Sequence, residues 1–169
     1  MKKLGLMAVA ALFAVAAFAQ TTTTATKTPE EKAQMKDLRK DVRAYNKQKA
    51  AAKQDINKGD LAGAKADLAA AKADKKEIKA DAKVLKSEGV DHPIKLADKQ
   101  VKKIDEKAVK TDIKDISADK VAEQKAVKAG DIKAAQADQK DIKADRKDLK
   151  KDIRQARRDG IKHPVRRAK

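Results

Sequence analysis

The feature that most constrains this chain is a unit that it carries twice, at a constant offset of 71 residues. Gly-Asp-Leu at 59–61 recurs as Gly-Asp-Ile at 130–132, and Gly-Val-Asp-His-Pro at 89–93 recurs as Gly-Ile-Lys-His-Pro at 160–164. Self-similarity at a fixed period indicates a duplicated supersecondary unit. Between these motifs, apolar residues recur in steps of three and four, which is the spacing of an amphipathic helix. The repeat therefore predicts an all-α fold of two tandem long helical hairpins with four helices.

The predicted helix ends are marked by four glycines, since glycine readily closes a helix in the left-handed conformation. These are Gly59, Gly89, Gly130 and Gly160. The first helix is predicted to begin at Pro29, with Thr28 as its N-cap and Glu31 completing a capping box. These signals place hairpin 1 at residues 29–93, hairpin 2 at residues 94–164 and a basic tail at residues 165–169.

The turn at residues 59–64 has the sequence Gly-Asp-Leu-Ala-Gly-Ala, which resembles the inter-helix turn of tetratricopeptide repeats. The resemblance covers these residues alone, because the period and the aromatic positions of that family are not present. It implies a tight antiparallel pair of helices on either side of the turn. It implies nothing about a binding partner.

The predicted core is a lean seam of aliphatic side chains, coiled-coil-like in its spacing. Its members include Met35, Leu38, Val42 and Ile56, then Leu61, Leu68, Ile78 and Leu85, then Ile94, Val101, Ile104 and Val109, then Val127 and Ile132. Alanine fills many of the positions between them. Because so few large apolar side chains must offset the entropy of ordering a long chain, the fold is predicted to be marginally stable.

The flanks of this seam carry opposite charges. In the second predicted helix, Asp67, Asp74 and Asp81 follow one flank, and Lys65, Lys72, Lys79 and Lys86 follow the other. Parallel helices would bring acid against base, whereas antiparallel helices bring like charges together. The short Gly-Asp turns impose the antiparallel pairing, so each hairpin is predicted to carry an aspartate ridge and a lysine ridge. We hypothesise that parallel helix contacts, between the second and fourth predicted helices or in a weak homodimer, use this leftover charge. Ordinary charged flanks of a bundle are the alternative interpretation.

The N-terminus is predicted to be a secretory signal peptide at residues 1–19. Lys2 and Lys3 precede an apolar run, and small residues support cleavage between Ala19 and Gln20. A disordered leader is expected at residues 20–28, and no later apolar run is long enough to be a transmembrane segment. These features predict a periplasmic or secreted protein. The chain has no cysteine, which excludes disulfides.

Basic residues exceed acidic ones by 43 to 26, and the excess is concentrated near the C-terminus. The candidate polyanion-binding residues are Arg146, Lys147, Lys150, Lys151, Arg154, Arg157, Arg158, Lys162, Arg166 and Arg167. Arginine suits phosphate because its planar guanidinium makes paired hydrogen bonds. Lipid headgroups, lipopolysaccharide and nucleic acid are the expected partners, and the shortage of aromatic residues predicts non-specific recognition. A solvated basic tail is the alternative.

Residues typical of catalysis or tight metal binding are not evident in the sequence. His92 and His163 stand in equivalent turns 71 residues apart, a spacing unlike that of metal ligands. A two-histidine site would require the two turns to meet, and a turn residue repeated by duplication is the simpler interpretation. We therefore predict no enzyme activity, no cofactor, no metal and no small-molecule substrate.

The composition, rich in alanine, lysine and aspartate, resembles that of group 3 late-embryogenesis-abundant proteins. That resemblance implies a helical protein that shields other macromolecules under stress, although the 11-residue period of the family is not kept. The expected function is a structural, protective or chaperone-like role in the cell envelope. The alternative, from a different class, is a non-specific polyanion-binding module that uses the basic C-terminal helix.

Overall fold

The computed structural model describes residues 28–168, which form helices joined by short turns and contain no strand. The helices are α1 (Pro29–Lys58), α2 (Leu61–Ser87), α3 (Pro93–Lys128), α4 (Ile132–Arg158) and the short α5 (Pro164–Ala168). The main packing is of α1 against α2 and of α3 against α4. The predicted all-α pair of hairpins is therefore confirmed. The predicted signal peptide and residues 20–27 of the predicted leader lie outside the described residues.

The helix ends use the predicted capping chemistry. Thr28 accepts a hydrogen bond from the Glu31 backbone N–H at 3.1 Å, and the Glu31 carboxylate accepts one from the Thr28 N–H. Gly59 ends α1 with a φ of 80°, a conformation that costs glycine little. Asp60 and its repeat counterpart Asp131 then cap α2 and α4 with equivalent side-chain hydrogen bonds of 2.8 and 2.9 Å. The two tip turns thus share one geometry.

A cluster of large buried apolar side chains lies at the base of the molecule, away from these tip turns, and Val109, Ile116 and Ile142 are buried further along hairpin 2. This cluster joins α1, α2 and α3 through Met35, Leu38, Val42, Ile78, Leu85, Ala97 and Val101. Toward the tip of hairpin 1 the buried residues are alanines, namely Ala52, Ala64 and Ala71. Hairpin 1 therefore has an aliphatic base and an alanine-packed arm.

The two hairpins meet along α1 and α3. Arg39 Nη1 donates to Gln100 Oε1 at 2.7 Å, and Arg43 contacts Asp105 one turn further along both helices. Because both numbers rise together, α1 and α3 run in the same general direction at this contact. The contact is short compared with those inside each hairpin, and α2 and α4 do not contact each other in the described range. The parallel contact is thus made by α1 and α3. Beyond it each hairpin extends toward its tip, and we call this part of each hairpin its arm.

Two parts of the predicted seam are wrong in detail. On α3, Ile104 is 46% exposed whereas the adjacent Asp105 is 4% exposed. Buried positions there advance in steps of four, and each step rotates the stripe by about 40° around the helix, from α1 toward α4. At the tips, Leu61 and Ile132 are 72% and 70% exposed. Each is the first residue of its helix, at the turn where the partner helix ends.

Truncation of a side chain in the cluster at the base of the molecule, compared with one at an exposed tip, tests which of the two contributes to the core. Leu38→Ala is expected to lower the free energy of unfolding by about 2–5 kcal/mol, because it leaves a cavity in the cluster that joins three helices. Leu61→Ala makes the same chemical change at an exposed tip and should cost less than about 0.5 kcal/mol. Urea unfolding followed by far-UV circular dichroism measures both. Equal losses would contradict a core that lies at the base and not at the tips.

Candidate functional site

Acidic side chains face one another across both hairpins, forming the predicted aspartate ridge. The facing pairs are Asp41 with Asp81 in hairpin 1, and Asp105 with Asp159, Asp112 with Asp152 and Asp119 with Asp145 in hairpin 2. In hairpin 2 the residue number rises by seven from one pair to the next along α3 and falls by seven along α4. The antiparallel turns therefore do bring acid against acid.

This crowding changes the proton affinity of the carboxyls. Partial burial raises the pKa of Asp41 to about 6, and the neighbouring Asp81 carboxyl adds to the effect. The pKa of Asp112 is also raised, first by burial and then by the charges of Asp152 and Asp148. A pair of carboxylates that cannot both ionise at low cost retains a shared proton.

The most enclosed of these pairs lies at the junction of the two hairpins. Asp105 of α3 and Asp159 at the end of α4 are both buried. Arg43 from α1 lies 2.5 Å from Asp105 Oδ1 and 3.8 Å from Asp159 Oδ2. Asn46 and Gln155 donate to the two oxygens of Asp159 at 2.9 and 2.8 Å. This junction cluster therefore connects α1, α3 and α4.

Within the junction cluster, burial and the Asp159 carboxyl raise the pKa of Asp105 to about 7, although Arg43 acts in the opposite direction. One Asp105 oxygen is buried without a hydrogen-bond partner. At the equivalent place in hairpin 1, Gln34 Nε2 donates to Glu88 Oε1 at 2.8 Å on an exposed surface. The second repeat thus places two acids where the first has an amide and an acid. The raised pKa of Asp105 favours retention of a proton in the cluster below about pH 7, and the cluster joins the hairpins.

All ten predicted polyanion-binding residues are exposed. The seven on α4 lie within a sector of about 140° around the helix axis, as their spacing requires at 3.6 residues per turn. Lys162 lies in the turn before α5, and Arg166 and Arg167 are on α5. Arg167 donates to Glu106 at 2.9 Å, and Lys151 pairs with Asp148 at 2.6 Å. The structure therefore gathers seven of them on one face and carries three beyond the end of α4.

The predicted basic tail is docked on the rest of the protein. Ile161, Pro164 and Ala168 are buried, and α5 packs against α3 and α4. The basic side chains of α5 are therefore held near α3 by an ordered backbone. This placement differs from a solvated tail.

Two open grooves lie beside the His-Pro turns. Groove 1, of about 690 Å³, is lined by residues that include Lys79, Lys83, Lys86, Pro93, Ile94 and Lys95. Groove 2, of about 340 Å³, is lined by Arg157, Lys162, His163, Pro164, Val165 and Arg166. Neither groove was predicted from the sequence, because each is formed by separate segments that converge only in the folded chain. The signal that could have been used is the repeated basic pattern around the His-Pro turns.

The histidines occupy the predicted turns. His92 precedes α3 with a left-handed φ of 50°, which is uncommon for a residue other than glycine. His163 lies in the matching turn before α5 and belongs to groove 2. In residues 28–168, no three histidine, aspartate or glutamate side chains are grouped so that they could hold a metal ion.

Aliphatic side chains are exposed at the tip of each hairpin. Ile56 and Leu61 flank the Gly59 turn, and Val127 and Ile132 flank the Gly130 turn. These four are counterparts in the repeat. Sequence reasoning assigned them to the seam, because it could not see that the partner helix ends at this point. We call them the tip residues.

No protein-family model, curated protein or solved structure matches the chain. The geometry of the described residues therefore carries the functional argument. In that part of the chain, every helix is too short or too polar to cross a bilayer. The candidate functional surfaces are the tip residues, the basic face of α4 with α5, and the two grooves.

The acid pairs predict an unusual dependence of stability on pH. A carboxyl with a folded-state pKa above its unfolded value near 4 takes up a proton on folding between these two values. The free energy of unfolding should therefore fall as pH rises from about 4 to 7, with an upper figure of about 4 kcal/mol from Asp105. Thermal unfolding followed by circular dichroism across this range measures it.

Asp105→Asn should flatten this profile and raise stability most at pH above 7, since asparagine can still accept from Arg43. Asp91→Asn, in an exposed turn, is the matched control and should leave the profile unchanged. A wild-type stability that rises between pH 4 and 7 would contradict the shared proton.

Proposed function

We propose that this chain is an exported, non-enzymatic helical protein of the cell envelope that acts as a chaperone-like, protective surface for other macromolecules. The observation that carries the proposal is the presence of exposed aliphatic residues at equivalent places on both hairpin tips. Export is supported by the signal-peptide pattern at residues 1–19.

The tip residues support binding of exposed apolar segments in a partially unfolded client. Covering an aliphatic side chain of this size stabilises a complex by about 1.5–3 kcal/mol before the costs of association. Leu61 and Ile132 are about 70% exposed, so most of this contribution is still available at each tip. Because both repeats retain the feature, one molecule presents two apolar tips to a client.

The arms support this function by holding the tips away from the base. From Arg43 at the junction, α1 continues for 15 residues to Lys58, or about 22 Å at 1.5 Å per residue. From Asp105, α3 continues for 23 residues to Lys128, or about 35 Å. A net charge of +17 over the whole chain opposes self-association through the tips.

A non-enzymatic role is supported by the contacts that the titratable carboxyls make within the fold. The Asp105 carboxyl, whose pKa is raised to about 7 by burial and by the Asp159 carboxyl, contacts Arg43, and Asn46 and Gln155 donate to Asp159 beside it. Both carboxyls serve the contact between helices. The grooves, in contrast, are lined by basic and aliphatic side chains that suit binding.

Substitution of the tip residues tests the chaperone-like function. The wild-type protein is expected to suppress the light scattering of a chemically denatured enzyme on dilution. The variant Ile56→Ser/Leu61→Ser/Val127→Ser/Ile132→Ser should lose most of this suppression, because it removes the apolar contacts. Light scattering at several ratios of protein to client measures the effect.

The control is Val84→Ser/Ile104→Ser, which removes exposed aliphatic side chains away from the tips and should retain suppression. Circular dichroism confirms that each variant keeps its helices. Suppression that is lacking in the wild type, or that is equal in the tip variant, would overturn the proposal.

A second candidate function, non-specific polyanion binding, is favoured by the basic face of α4. Seven exposed lysines and arginines share one sector of this helix, and the docked α5 adds two arginines beyond its end. Such a face binds phosphate or sulfate groups along a polyanion by displacing their counterions. Its partners would be anionic lipids, lipopolysaccharide or nucleic acid.

Retention on a heparin column tests the second candidate. Arg146→Gln/Lys150→Gln/Arg154→Gln/Arg157→Gln should elute at much lower salt than the wild type, because it removes four cations from one face. The slope of log affinity against log salt should fall by about 3 to 4. Lys32→Gln/Lys36→Gln/Lys47→Gln/Lys53→Gln on α1 removes the same charge and should elute close to the wild type. Equal elution of the two variants would show that net charge alone governs retention.

A further inference from the structure

Six of the nine residues that line groove 1 have repeat counterparts in the lining of groove 2, although His92 has a positive φ and His163 does not. The linings correspond at the repeat offset: Lys86 with Arg157, Asp91 with Lys162, His92 with His163, Pro93 with Pro164, Ile94 with Val165, and Lys95 with Arg166. In both cases the end of a long helix, a Gly-x-x-His-Pro turn and the first turn of the next helix form the walls. The concave shape is therefore a property of the repeat.

Each groove is lined by both apolar and basic side chains, which we call its floor and its rim. The floor contains Pro93 and Ile94 in groove 1 and Pro164 and Val165 in groove 2, and both aliphatic side chains are exposed. The rim of groove 1 has four lysines against one aspartate. Groove 2 has Arg157, Lys162 and Arg166 and no acid. The charge of both rims is the same, with an excess of three positive charges.

We propose that the two grooves bind anionic lipid, with the rim contacting the headgroup phosphate and the floor contacting the first methylenes of an acyl chain. For groove 2, this proposal rests on the second candidate function, polyanion binding, and names its ligand. Groove 1 lies outside the basic C-terminal face. A lipid fits better than nucleic acid because the floors are aliphatic, and bases need aromatic faces to stack on. The volume of groove 1 is within the range of small-molecule sites.

The rim test uses vesicles of phosphatidylglycerol and phosphatidylcholine, compared with pure phosphatidylcholine, and protein purified from the exported fraction. Each basic residue beside an anionic bilayer contributes about fivefold in affinity. Lys79→Gln/Lys83→Gln/Lys86→Gln should therefore weaken co-sedimentation with the anionic vesicles several-fold and by at most about 100-fold, because groove 2 and the basic face of α4 are intact. Its heparin retention should change little, because the basic face of α4 is intact. Lys32→Gln/Lys36→Gln/Lys47→Gln is the charge-matched control and should bind vesicles close to the wild type.

The floor test separates a lipid from other polyanions. Ile94→Ser/Val165→Ser should weaken binding to the anionic vesicles at least several-fold while leaving heparin and duplex DNA binding unchanged. Unchanged vesicle binding in this variant, or equal binding to pure phosphatidylcholine by the wild type, would overturn the lipid grooves. Equal losses for the groove 1 and α1 triple variants would do the same.

The heparin readout distinguishes the two levels of failure. Retention on heparin without groove-dependent vesicle binding would leave polyanion binding by α4 standing and remove the lipid grooves. Loss of groove-dependent vesicle binding together with heparin retention that ignores the α4 substitutions would remove both.

Discussion

The main physical constraint on this structure is that its antiparallel helices bring carboxylates against carboxylates. A two-residue Gly-Asp turn permits only antiparallel helices, and the charge pattern then brings the aspartate flanks together in each hairpin. The helices remain paired because aliphatic and alanine side chains are buried beside this ridge, where burial raises the pKa of Asp41, Asp105 and Asp112. Asp105 is the extreme case, where the second hairpin and α1 enclose the pair and Arg43 supplies the one nearby cation.

The distribution of large side chains explains why function is expected at the surface. Buried leucine, valine and isoleucine join three helices at the base, Val109, Ile116 and Ile142 are buried in hairpin 2, and alanine occupies the buried positions of the hairpin 1 arm. Of the aliphatic residues that remain exposed, four lie at the tips and two line the grooves, whereas Leu68, Val84, Ile104 and Val121 lie along the helices. The tips and the grooves are the places where exposed apolar groups recur at equivalent positions of the two repeats.

Much of the fold was predictable because the duplication repeats the same helix-ending and helix-capping signals at a constant offset. The equivalent positions of Gly59 and Gly130 in the repeat predicted the two tip turns, and the capping residues predicted the start of α1. The contact between α1 and α3 was not predictable, since nothing local distinguishes Arg43 from other exposed basic residues. Asp105 was missed because a buried stripe in steps of four was read as steps of three and four. The grooves were missed because they need three separate segments to converge.

The acidic pairs also make the length of each arm adjustable. The pairs recur every seven residues along both helices of hairpin 2, so removal of seven residues from each side would delete one pair and keep the register of the others. The arm would shorten by about 10.5 Å while the base and its junction remained as they are. Reach is therefore a variable that evolution or an engineer can change in whole heptads, separately from the part of the protein that keeps it folded.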